Sequence, residues 1–175
     1  HPFEENVRES LAVIRSAHAV GVSVECELGA IGGVEDGMSH DHLNLVDVGE
    51  VERFCAQVDC DALAIGIGNA HGFYTQEPKL NIQRLAEINE AIDTKLVLHG
   101  GTGIPEEAVR DAIRNGINKV NVGTVILHSY LDTLKATLGN LEKAQYNEGV
   151  FEDAVEAVSQ AAAVWIRKTM SDHRV

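Results

Sequence analysis

Apolar and polar residues follow two periods along this chain, one helical and one of two residues, and the chain switches between them repeatedly. Val7, Leu11, Ile14, Ala17 and Val20 recur at helical spacing over residues 4–20, and Gly21 ends that stripe. Val22-Ser-Val-Glu-Cys-Glu-Leu-Gly29 then alternates and is rich in β-formers, which predicts a strand. The stretch from Ala30 to about Val46 is dense in Gly, Asp and His and reads as a loop. The pattern then predicts helix over 48–58, strand over Ala62–Ile67, a loop containing Pro78, helix over 81–92 and strand over Leu96–His99. Pro105-Glu106-Glu107 places proline and two acids in a first helical turn, and that helix ends at Gly116. Lys119-Val-Asn-Val122 predicts a fourth strand, and helices follow at 125–138 and 151–170.

Short apolar runs joined by helical crossovers predict parallel strands, and therefore an α/β fold. Four such units fit the last half of a (β/α)8 TIM barrel followed by C-terminal helices, or a small open doubly wound sheet. No dinucleotide fingerprint follows any strand, which weighs against the second arrangement. The expectation is a single barrel domain over residues 1–175 without its N-terminal strands. The opening His1-Pro2-Phe3-Glu4-Glu5-Asn6 reads as a helix already under way, so the chain is expected to be part of a longer one.

Composition narrows the function classes. With 175 residues and 45% hydrophobic content the chain can bury a true core. A net charge of −13 argues against nucleic acid and anionic membrane as partners. It leaves room for a small anion held by backbone amides and a metal. No apolar run approaches the roughly 20 residues that span a bilayer. Cys26, Cys55 and Cys60 are odd in number and lack C-x-x-C spacing, so they read as reduced cytoplasmic thiols, with Cys26 in the core.

Every predicted strand ends in residues suited to one small polar site. The first offers Glu27 and then Gly32-Gly-Val-Glu-Asp-Gly37; the second offers His71-Gly72. The third offers His99 and Gly100-Gly-Thr-Gly103; the fourth offers Asn121-Val-Gly-Thr124. Imidazoles suit zinc, for which Glu27 is a carboxylate candidate. Gly100–Gly103 precedes a helix start, where free N–H groups and the helix dipole favour a dianion; Thr102 and Thr124 add hydroxyls. Glu35, on a glycine-flanked loop, is placed to move a proton. Each feature alone has a structural explanation: a strand-end histidine is commonly a hydrogen-bonded one, and a glycine turn is commonly a tight connection. His40 and His42 read as exposed loop residues.

Together these segments resemble the class II, zinc-dependent ketose-bisphosphate aldolases. The resemblance runs from Pro2-Phe-Glu-Glu-Asn6 through the glutamate-bearing strand, the Gly32–Gly37 loop, Gly68-Asn-Ala-His-Gly72 and Leu96-Val-Leu-His-Gly-Gly-Thr-Gly-Ile-Pro105 to Lys119-Val-Asn-Val-Gly-Thr124. It implies zinc held by His71 and His99, with Glu27 as an inner carboxylate ligand and a second zinc position left open. It implies Glu35 as the base at the dihydroxyacetone phosphate carbon. Gly72, Gly100, Gly101, Thr102, Asn121, Val122, Gly123 and Thr124 would hold the substrate phosphate and a monovalent cation, Na+ or K+. The implied reaction is cleavage of a ketose 1,6-bisphosphate, or a related ketose phosphate, to dihydroxyacetone phosphate and an aldehyde. The implied protein is a cytoplasmic homodimer or homotetramer acting on a small phosphorylated sugar.

The departures are specific. A third zinc histidine and an aspartate that protonates the aldehyde oxygen belong to strands that would precede His1. Val125 stands where an acid is usual, Thr102 where serine is common, and Val34 where Glu35 usually has a polar neighbour. The alternative reading is a non-catalytic sugar-phosphate-binding fragment of such an enzyme. A phosphate-binding isomerase, which would not need both histidines, is a third.

Overall fold

In the computed structural model the described residues are 1–29, 31–35, 38–40, 45–72, 78–140 and 148–173, with the backbone alone at 33–35, 38–40 and 148–150. They form two compact units, His1–Asn121 and Val122–Val175.

The first unit opens with α1 (Phe3–His18), followed by β1 (Glu25–Leu28), β2 (Gly32–Glu35), β3 (Met38–His40) and α2 (Val48–Cys55). Then come β4 (Ala62–Ile65), β5 (Ala70–His71), α3 (Ile82–Ala91), β6 (Lys95–Leu98), α4 (Glu106–Arg114) and β7 (Ile117–Val120). The main sheet has the order β1-β4-β6-β7 and is parallel throughout. A doubly wound sheet reverses its strand order at a switch point; these four strands follow chain order without reversal, the progression of a (β/α) barrel wall.

Packing follows the sequence pattern. Leu63, Ala64 and Ile65 of β4 and Leu96, Val97 and Leu98 of β6 are fully buried. From the helices, Val51, Phe54, Leu85, Ile88, Val109 and Ala112 join them. Phe3 meets Phe54 edge-on with ring centres 6.1 Å apart, and the Arg53 guanidinium covers the Phe3 ring. Asp47 caps α2 by accepting from the Gly49 amide, and Asn81 caps α3 by accepting from the Arg84 amide. At the amino end of the sheet, Asp61 accepts from the Val24 amide at 2.7 Å and meets His18 Nε2 at 2.9 Å, which ties α1 to β4. Cys26 and Cys60 are buried; the hydrogen bond they share, together with burial, pushes the Cys60 thiol up. These are packing thiols.

The segment expected to be loop differs. It contains an antiparallel β2–β3 pair, and β2 also pairs in parallel with β5 through Gly32↔Ala70 and Gly33↔His71. Three glycines in six residues hide strand character from a reading based on apolar alternation. His40 lies in β3 by its backbone, while His42 lies outside the described residues.

The second unit consists of α5 (Thr124–Leu138) and α6 (Glu148–Lys168), which pack on one another. Among its described residues Thr137, Ala154 and Trp165 are buried, and Lys168 Nζ sits 4.1 Å from the Trp165 ring centre. No helix among the described residues is long and apolar enough to cross a membrane.

Candidate metal centre

The carboxyl ends of the strands bring Glu27, His71 and His99 together. One donor atom from each lies within 4.8 Å of the other two. Glu27 comes from β1, His71 closes β5, and His99 follows the last residue of β6. The two rings stand 5.5 Å apart at 66°.

Three local devices hold the group. Gly100 has φ +68°, and a Cβ on it would overlap the Ala70 carbonyl oxygen, so glycine lets the His99 turn lie directly against the His71 strand. Asn69, 1% exposed, accepts from the Ile67 amide at 2.9 Å and donates to the His99 carbonyl at 3.1 Å. Asn6 of α1 donates to the Glu27 carbonyl at 2.8 Å.

His99 lies between two carboxylates. Its Nε2 is 2.8 Å from Glu25 Oε1, and Glu25 Oε2 takes a 2.7 Å ion pair from Lys119 Nζ on β7. Its Nδ1 is buried and 3.0 Å from Glu27 Oε2, yet that approach lies off the direction of a ring N–H and makes no proper hydrogen bond. Burial alone would lower the His99 pKa; Glu27 and Glu25 outweigh it and raise it. Burial alone would raise the Glu25 carboxyl; Lys119 and His99 outweigh it and lower it.

The donor set fits zinc. Two imidazoles and a carboxylate are a catalytic-zinc ligand set, and a buried ring nitrogen without a directed hydrogen bond is the atom such an ion would satisfy. With metal–ligand bonds of roughly 2.0–2.2 Å, donors that lie within 4.8 Å of one another would draw closer to share one ion. A second cluster joins His1, just before α1, to Glu5 and Glu9 on that helix, and none of its atoms is among the buried, unpartnered ones of the described residues.

The remaining expected site residues fall in different places. Gly72 follows His71 with φ +82°, and among the described residues no atom lies within 4 Å of where its Cβ would stand. Gly100, Gly101 and the buried Thr102 form the turn after β6. The Gly101 amide donates to the Asn121 carbonyl at 3.1 Å and the Asn121 amide to the Leu98 carbonyl at 2.9 Å, so this turn is laced to the end of β7. Val122, Gly123 and Thr124 open the second unit, with Gly123 capping α5. Glu35 is placed by its backbone, two residues beyond the Gly33↔His71 pair; its side chain lies outside the described residues.

Sequence reasoning missed Glu25, Lys119 and Asn69. Glu25 was legible only as the polar neighbour of Cys26, and Lys119 only as a strand residue. A period-two reading of Val24–Leu28 that puts Glu25 on the same face as Glu27 would have found the first.

The sequence profile of the family described as fructose-bisphosphate aldolase class-II matches residues 1–174. The YdjI aldolase from Escherichia coli K12 is 30% identical with a TM-score of 0.85, over 99% of this chain and 59% of its own. A protein described as a fructose-1,6-biphosphate aldolase from Coccidioides immitis is 29% identical with a TM-score of 0.89, over 99% and 61%. Fructose-bisphosphate aldolase from Campylobacter jejuni, at 20% identity and TM-score 0.73, shares the fold. The chain thus spans about three-fifths of the length of these structures, and its sheet corresponds to part of a TIM barrel.

Proposed function

This chain belongs to the class II fructose-bisphosphate aldolase family, and from that premise we propose that it carries the zinc-binding and proton-moving part of a ketose-phosphate aldolase site. The observation that carries the reading is the convergence of Glu27, His71 and His99 on one small volume. Zinc held there would supply Lewis acidity toward a substrate carbonyl oxygen.

The chain's own residues are proposed for the dihydroxyacetone phosphate half of the reaction. In the cleavage direction the hydroxyl of the carbon that becomes the aldehyde gives up its proton to the aspartate that the family resemblance implies beyond these residues. Its oxygen forms the carbonyl, the carbon–carbon bond breaks, and the electron pair of that bond stays on the carbon that becomes part of dihydroxyacetone phosphate. Glu35 delivers the proton that this carbon takes up, and removes it in the condensation direction. Gly72, Gly100, Gly101 and Thr102, with Asn121, Val122, Gly123 and Thr124, are the proposed phosphate and monovalent-cation segments. The −13 charge makes a local cradle necessary, since the protein as a whole repels an anion. The free thiols Cys26, Cys55 and Cys60 fit a reducing compartment such as the cytoplasm. A homodimer or homotetramer is proposed on the family resemblance.

A second reading, metal and phosphate binding without turnover by this segment, is favoured by its three-fifths coverage of the relatives. One experiment separates the two. Zinc uptake and dihydroxyacetone phosphate proton exchange are measured in wild type, His71→Ala, His99→Ala and Glu35→Gln. Each histidine variant should lose zinc roughly a hundredfold or more; Glu35→Gln should keep zinc and lose exchange. Zinc affinity unchanged in both histidine variants refutes the metal assignment. Wild-type zinc uptake without exchange or cleavage selects the binding-only reading.

A further inference from the structure

One group at the site has no role in the reading above. Glu25 comes from the first position of β1, keeps its side chain 25% exposed, and reaches two partners that lie far along the chain. Its Oε1 meets His99 Nε2 at 2.8 Å and its Oε2 meets Lys119 Nζ at 2.7 Å. A carboxylate oxygen only accepts, so the proton in the first contact belongs to Nε2. A neutral imidazole with its proton on Nε2 has its lone pair on Nδ1. That is the atom facing Glu27, in the group that also holds His71.

We propose that Glu25 is a positioning residue for the metal site: it anchors His99 through Nε2–H, fixes the ring's tautomer and rotation, and presents Nδ1 as the ligating atom. Lys119 holds the free end of Glu25, so that the carboxylate keeps one orientation. The three residues form a relay from β7 to β1 to the turn after β6, so side chains link the two outer strands of the sheet, which the backbone does not pair with each other. This inference rests on the zinc reading above. A histidine ligand whose second nitrogen donates to a carboxylate is a more basic and better-oriented ligand.

The test uses the full chain with Glu25→Ala, Glu25→Gln, Lys119→Met and His99→Ala variants. Zinc affinity is read by competition with a chromophoric chelator. The ring protons are read separately by 15N histidine NMR on metal-free and zinc-loaded protein, with circular dichroism and the unfolding midpoint as checks on folding. Wild type should show a slowly exchanging Nε2–H on His99 in both states. Glu25→Ala should lose that signal and weaken zinc about 10–100-fold. Glu25→Gln, isosteric and still an acceptor, should recover part of both, which a merely structural loss would not produce. Lys119→Met should keep the signal and weaken zinc less than Glu25→Ala.

Wild-type zinc affinity in Glu25→Ala, or an unchanged Nε2–H signal in that variant, overturns the positioning role. If His99→Ala abolishes zinc binding while Glu25→Ala does not, this inference fails and the zinc reading stands. If the wild type binds no zinc, the zinc reading fails and takes the inference with it.

Discussion

The inner and outer strands of the main sheet do different work. The last three residues of β4 and of β6 are apolar and sealed, and their histidine-bearing segments come only after the strand has ended. β1 and β7 flank them and carry charge inside the strand: Glu25, Glu27 and Lys119. The centre of the sheet therefore provides a rigid, dry floor, and the flanks provide the groups that reach over it to His99. Stability and chemistry are separable here because they sit on different strands.

That contrast can be broken from either side. The largest effect should come from the floor: Leu96→Ala removes a fully buried side chain and should cost about 3 kcal/mol in urea unfolding, while the folded protein keeps its zinc stoichiometry. Gly100→Ala is next, with a strained left-handed φ and a Cβ overlapping Ala70; it should cost about 2 kcal/mol and, unlike Leu96→Ala, also weaken zinc. Glu27→Gln, on a flank, should reverse the pattern, with zinc weakened roughly tenfold and the unfolding midpoint hardly moved. A Leu96→Ala protein that folds normally but has lost its metal would collapse the distinction.

The smallest effect concerns the opposite end of the sheet. The Val24 amide, and then His18, hold the Asp61 carboxyl below the usual carboxylate range. A carboxyl depressed in the folded state adds stability above its ordinary pKa near about 4 and loses it as pH falls through the depressed value. Asp61→Asn should therefore be less stable than wild type at pH 6, and the gap should close in acid. Acid unfolding curves of the two proteins, recorded side by side, measure it; a gap that persists at low pH would refute the linkage.

Much of this was legible in the chain. Helix boundaries came within a few residues because glycines, prolines and first-turn acids punctuate them, as at Pro105 and Gly116. The strand-end histidines were legible because each follows a short apolar run and precedes glycine. What stayed hidden depends on residues distant in sequence. Glu25 and His99 are 74 positions apart, and Glu25 and Lys119 are 94. A charge on a strand reads as solvated until its partner is placed. The β2–β3 pair stayed hidden because its pattern is set by glycine and by pairing to the two-residue β5. Asn69 stayed hidden because a buried amide that bridges two backbones has no periodic signature.

The pairing of β2 with β5 has one further consequence. Gly33 is hydrogen-bonded alongside His71, and Glu35 follows two residues later, about 7 Å further along an extended backbone. The proposed proton carrier and one proposed ligand are thus slung from the same short ladder. Its tether length sets how far the carboxylate can travel, and loosening it would disturb acid–base timing and ion capture in a single stroke.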